Sequence, residues 1–239
     1  MSPRALAGKR LAALGIVIAT LGGLAVLPGC DPRMLAYFLQ PNEPTVPAPG
    51  PDLKGKKVVL ITHASDDALG AFQSLDREVN RELVRILRTE VKKIEIVDPE
   101  KVYTWMDGHP TWTNPGEIAK AFEADIAIFL EIGSFQIQDP RSPGLLEGSS
   151  EVNIQVIEYD HPKNTKGKRD TAQPKEMNKI YEETWKSMFP IRGPIPIDSG
   201  VSPSAFKTKF LKLLATELSW QFVGHRTGDD IQDVKFNSR

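Results

Sequence analysis

Two short apolar runs limit the fold this chain can adopt. Val58-Val59-Leu60-Ile61 and Ile126-Ala127-Ile128-Phe129-Leu130 carry apolar side chains at consecutive positions, without polar alternation. Runs of that kind are expected of buried strands in a sheet packed by helices. The segments around them read accordingly. Phe72, Leu75, Val79, Leu83, Ile86 and Leu87 recur at helical spacing, and Glu78/Arg81 and Glu82/Arg85 form i,i+3 pairs on the opposite, solvated face. Residues 93–97 alternate as a strand. Asp98-Pro99 reads as a helix start, residues 107–116 as a Pro/Gly/Asn loop and Glu117–Glu123 as a short helix. The second apolar run continues through Phe135 and Ile137.

Val152, Ile154, Val156 and Tyr159 mark a further strand, and Ile180–Met188 another. Residues 160–176 read as an exposed polar loop between them. Ser202-Pro203 opens a last helix whose apolar face holds Phe206, Phe210, Leu213, Leu214, Leu218 and Phe222. Early βα alternation implies parallel pairing, and the later consecutive strands imply antiparallel pairing. The fold class is α/β: a mixed sheet packed by helices, with the C-terminal helix docked on it.

The N-terminal part has a different character. Arg4, Lys9 and Arg10 precede an uncharged apolar stretch from Leu11 to Leu27, followed by Pro28, Gly29 and Cys30, the only cysteine of the chain. Basic head, apolar core and small residue form the order of a secretory signal. The stretch is shorter than the about 20 apolar residues of a membrane span and contains Gly15, Gly22 and Gly23. Leu27-Pro28-Gly29-Cys30 resembles the lipobox of bacterial lipoproteins, although Pro28 stands where Ala, Ser, Thr or Val is usual. That resemblance implies cleavage before Cys30, lipid on Cys30 and attachment to a bacterial membrane, with the domain outside the cytoplasm. Asp31, at the second mature position, resembles the inner-membrane retention signal of enteric bacteria.

Pro32, Pro41, Pro44, Pro47, Pro49 and Pro51 then interrupt any helix or ladder. The organisation read from the sequence is a signal peptide over 1–29, a lipidated cysteine and Pro-rich tether over 30–55, a globular domain over 56–224 and a polar tail over 225–239. The formal charge is −1 and falls to −4 without residues 1–29, which argues against a nucleic-acid partner. One cysteine permits neither a disulfide framework nor a cysteine-based zinc site.

Residues 56–223 also resemble, in topology, a group of bacterial envelope domains: the N-terminal domain of TolB, CsgG and LpoB-like synthase activators. The elements concerned are Val58–Ile61, Val97-Asp98-Pro99-Glu100-Lys101-Val102, the helix-into-strand segment Glu117–Ile128 and the closing helix Phe206–Phe222. The group consists largely of binding and assembly modules, so the resemblance implies a non-enzymatic role and an envelope-protein partner. The alternating amphipathic hairpins of a CsgG-type pore are missing, and the pore function is not carried over.

Candidate chemistry is sparse. His63, Ser65, Asp66 and Asp67 follow the first strand, where ligands of α/β sheets gather, and they define the alternative reading of an envelope hydrolase. A triad is assembled from separate elements, however, and no Gly-x-Ser-x-Gly elbow surrounds Ser65. A helix-capping loop is the simpler account. His109, His161 and His225 lack zinc-helix spacing, and no cofactor or metal is called for. Lys163, Lys166, Lys168 and Arg169 read as a solvated basic loop. Trp105 and Trp112 flank a Pro/Gly loop and are the candidate partner-binding residues; the competing account folds both rings onto the sheet. A small-ligand sensor is a third reading and requires an apolar pocket.

Overall fold

A computed structural model describes residues 45–139, 141–160 and 176–226. The leader, Cys30, Asp31, His161 and the basic cluster 163–169 lie outside the described residues. The described chain runs β1 (Thr45–Val46), β2 (Lys57–Ala64), α1 (Asp66–Ala71), α2 (Leu75–Glu90), β3 (Glu95–Ile96), α3 (Pro99–Gly108), α4 (Pro115–Ala121) and β4 (Ile126–Gln136). It continues with β5 (Leu145–Leu146), β6 (Gly148–Asp160), β7 (Glu176–Phe189), β8 (Ile195–Pro196), α5 (Pro203–Ser219) and β9 (His225–Arg226).

The main sheet has five strands in the order β3-β2-β4-β6-β7. β2 pairs in parallel with β3 and with β4, whereas β4–β6 and β6–β7 are antiparallel. The fold is therefore α/β with a mixed sheet, and the change of direction follows from the connections. Helices join the first three strands, which is what parallel pairing requires. Among the described residues, no helix joins the last three, which pair antiparallel.

Helices cover both sides of the central strands. Val58 and Leu60 of β2, with Ile126, Ile128, Leu130 and Ile132 of β4, join Val152, Ile154 and Val156 of β6 beneath α2 and α5. The alternate positions Val59, Ile61, Ala127, Ile157 and Tyr159 join Val102, Ile118 and Ala119 beneath α3 and α4. This two-sided burial explains the unbroken apolar runs in β2 and β4. The second cover is short. Beyond its end, His63, Glu131, Asn153 and Thr184 stand in register across four strands. All four are exposed, and Thr184 Oγ1 donates to Asn153 Oδ1 at 2.9 Å.

Helix starts follow local chemistry. Asp98 accepts from Glu100 N at 3.1 Å ahead of Pro99, and Ser202 accepts from Ala205 N at 3.2 Å ahead of Pro203. Each side chain satisfies an N–H that the first turn leaves without a helical partner.

Several boundaries differ from the sequence reading. Residues 93–97 contribute only Glu95–Ile96 as strand. Phe72 lies between two helices and packs edge-on to Phe135 at 5.3 Å. The loop assigned to 107–116 is narrower, since α3 persists to Gly108 and Asn114 caps α4 by accepting from Gly116 N at 2.8 Å. The tether and tail boundaries also move. Leu53 is 1% exposed, Gly50 N donates to Gln221 O at 2.8 Å, and Thr45–Val46 pairs with His225–Arg226. Residues 45–55 and 225–226 therefore belong to the packed domain. The prolines in this stretch rule out a long ladder, but two residues of pairing and one buried leucine suffice to fasten it.

α2 and α5 are clamped by charge as well as by apolar contact. Lys207 Nζ donates to both carboxylate oxygens of Glu78, at 2.9 and 2.8 Å, and Ser74 Oγ donates to Glu78 Oε1 at 2.5 Å. The expected Glu78/Arg81 pair is replaced by this contact, because packing of α5 brings Lys207 to Glu78. Partial burial raises the Glu78 pKa, but the Lys207 and Ser74 hydrogen bonds outweigh it and hold the carboxyl below its ordinary value of 4.5. A lowered folded-state pKa gives stability that is present above the unfolded value and lost as the pH falls through the folded value. Glu78→Gln should therefore cost stability at neutral pH and progressively less below pH 4.5. Urea titrations of both proteins across that range measure the convergence.

Candidate functional site

The tryptophans sit where α3 ends and α4 begins. Trp105 lies in the last turns of α3, and Trp112 in the connection that follows. Two backbone bonds tighten that connection: His109 N donates to Met106 O at 3.1 Å and Trp112 N to His109 O at 3.0 Å. His109 stacks on Trp105 with ring centroids 4.2 Å apart and planes inclined by 11°. Its Nδ1 is 2.8 Å from Trp105 O. A carbonyl oxygen only accepts, so this contact places the proton on Nδ1 and fixes the imidazole tautomer. Trp112 meets Phe129 of β4 edge-on at 6.1 Å.

Both indoles are half-buried and pack against the core cluster beneath α3 and α4. Trp105 is covered by the core and by the His109 ring, and Trp112 by the core and Phe129. Between the rings, His109, Pro110 and Thr111 are exposed. The result is a pre-ordered aromatic ledge, held by stacking and backbone bonds, with little rotamer freedom left to lose on contact.

The His63–Asp67 stretch forms the end of β2 and the start of α1. Ser65 Oγ donates to Gly133 O at 2.9 Å and lies 3.4 Å from Ala68 N, which makes Ser65 the α1 N-cap. His63 is exposed on the sheet and makes no hydrogen bond to Ser65. The hydroxyl is thus engaged with backbone, and it is not hydrogen-bonded to the imidazole that a hydrolase would need beside it. Asp66 and Asp67 occupy the first turn of α1, where negative charge suits the helix N-terminus. His225 stacks on Trp220 at 4.3 Å.

Among the described residues, no group of three or more His, Cys, Asp or Glu could hold a metal ion. No helix among them is long and apolar enough to cross a membrane.

Arg77, Arg81, Arg85 and Arg88 line a groove of about 550 Å³ between α2 and α3. Their spacing of four, four and three residues places them along one helical face. That spacing is visible in the sequence, but the wall opposite it is set by α3.

No protein-family model matches the chain, and no curated protein matches it. Similar solved structures include a hypothetical protein from Chlamydia trachomatis, 14% identical, with 71% of this chain and 97% of that one covered and a TM-score of 0.40. PelC from Paraburkholderia phytofirmans is 10% identical over 75% of this chain and 96% of its own, with a TM-score of 0.40. A lipoprotein from Neisseria meningitidis is 7% identical over 68% and 97%, with a TM-score of 0.37.

Proposed function

We propose that this chain is a lipid-anchored envelope protein whose globular domain binds another envelope protein and catalyses no reaction. The observation that carries this reading is the position of the only cysteine, at the end of a basic, then apolar, then small-residue leader. Residues 31–44, with Pro32, Pro41 and Pro44, serve as the leash. The inner-membrane signal resembled by Asp31 applies only where enteric sorting operates. Trp105 and Trp112 form the contact surface. Half-buried indoles at a rigid loop have the properties of binding hot spots: large apolar area, few torsions to freeze and a polar tip.

The test is a photo-crosslinking amino acid at Thr111, which is exposed between the rings. In intact cells it should yield a discrete adduct with one envelope protein. Trp105→Ala combined with Trp112→Ala should reduce that adduct by more than about tenfold, as for paired hot spots, while the purified domain still unfolds cooperatively. An unchanged adduct, or loss of the adduct only through loss of the fold, overturns the assignment of this surface.

A further inference from the structure

We propose that the groove between α2 and α3 binds a small ligand carrying a phosphate group on an apolar body. This site is separate from the tryptophan ledge and does not depend on it. Four arginines face the groove and only two carboxylates, Glu82 and Glu100, do so. Three of the arginines already have partners. Arg85 Nη2 lies 2.7 Å from Glu82 Oε1. Arg77 is 3.8 Å from Glu100 Oε2, and its guanidinium lies over the Tyr103 ring, 5.0 Å from the centroid. Arg88 Nη2 donates to Ile96 O at 3.3 Å.

Arg81 differs from the others. Glu78, its neighbour at i−3, is hydrogen-bonded by Lys207 and Ser74 and feels Arg81 only through space, and among the described residues no carboxylate forms an ion pair with Arg81 within 4.0 Å. A guanidinium presents a planar fork of donors that suits phosphate in a bidentate mode. Its neighbours in the row, Arg77 and Arg85, lie one turn to either side and add positive potential while their carboxylates hold them in place. The apolar part of the lining is Val84, 4% exposed, Tyr103, 7% exposed, and Pro99, with Thr89 beside them. Tyr103 Oη is buried beside the Asn80 side chain, and burial, with the nearby Asp76 carboxylate, raises its pKa, so the ring enters the site neutral. A cationic row above a partly apolar lining suits neither a bare inorganic ion nor an uncharged lipid tail. It suits a phosphate monoester with an aryl or short acyl body, which could be a soluble metabolite or the headgroup end of a phospholipid.

The test is titration of the full chain, followed by arginine side-chain NMR signals, with four probes: phenyl phosphate, glycerol phosphate, inorganic phosphate and a short-chain phosphatidic acid below its micelle concentration. Phenyl phosphate should saturate the Arg81 signal with a dissociation constant of about 1 mM or tighter, and inorganic phosphate should bind several-fold more weakly. Arg81→Gln should weaken phenyl phosphate at least tenfold, and Arg81→Lys should restore part of the loss. Tighter binding of the phosphatidic acid than of phenyl phosphate assigns the ligand to lipid; the reverse order assigns it to a soluble ester. Two results overturn the proposal. One is that sodium chloride at equal ionic strength moves the same signals equally. The other is that Arg81→Gln binds phenyl phosphate as well as the wild type while circular dichroism shows both folded.

Discussion

Phe210→Ala should cost the domain about 3–5 kcal/mol, the usual range for a phenylalanine deleted from a packed core, and lower Tm on the order of 10 °C. Phe210 is 0% exposed. It stacks on Phe135 at 4.9 Å and on Phe189 at 6.2 Å, so it links α5 to β4 and β7 at once. Little can collapse into the space it leaves. Gly148 of β6 supplies an internal control. A Cβ built there would stand 2.7 Å from the Phe210 ring, closer than van der Waals contact permits. Gly148→Ala should therefore destabilise the wild type through overpacking, by about 1–3 kcal/mol. In the Phe210→Ala background the same methyl enters the new cavity, and its cost should fall. Urea denaturation of the two single variants and the double variant gives the coupling directly. Purely additive values would show that the ring and the glycine do not share one packed volume.

Cys30→Ser should abolish incorporation of radiolabelled palmitate into this chain in cells, while the globular domain keeps its thermal transition. The effect is all-or-none because the chain has no second cysteine to take the lipid. Each buried methylene contributes about 0.8 kcal/mol, and one acyl chain alone holds only marginally. A lipobox-type anchor with several chains should therefore keep the wild type in the membrane fraction through high-salt washing. Lipid labelling that persists in Cys30→Ser, or a wild type that takes no label, would remove the anchor from the proposed function and leave the tryptophan ledge to be judged separately.

Much of the α/β layout was legible because it depends on local rules. Asp98 before Pro99 and Ser202 before Pro203 start helices wherever they are placed, since each carries its own capping oxygen. The apolar runs at 58–61 and 126–130 marked buried strands, and the two core clusters cover them. The site was less legible. Trp105 and Trp112 stood out by residue type, but sequence alone left open whether the rings pack or protrude. That depends on where Phe129 and His109 meet them.

The short α1 and the two-residue strands β1, β5, β8 and β9 escaped the sequence; what it determined by itself was the longer strands and helices, the buried character of β2 and the order of leader residues ending in Cys30. These follow from side-chain periodicity, capping chemistry and composition, which act over a few residues. Only the tertiary structure decided that residues 45–55 close against the end of α5, that Lys207 takes Glu78 and leaves Arg81 without a carboxylate in direct contact, and that the tryptophans are half-buried. Each of these outcomes depends on groups far apart in the chain, brought together by the packing of helices on the sheet.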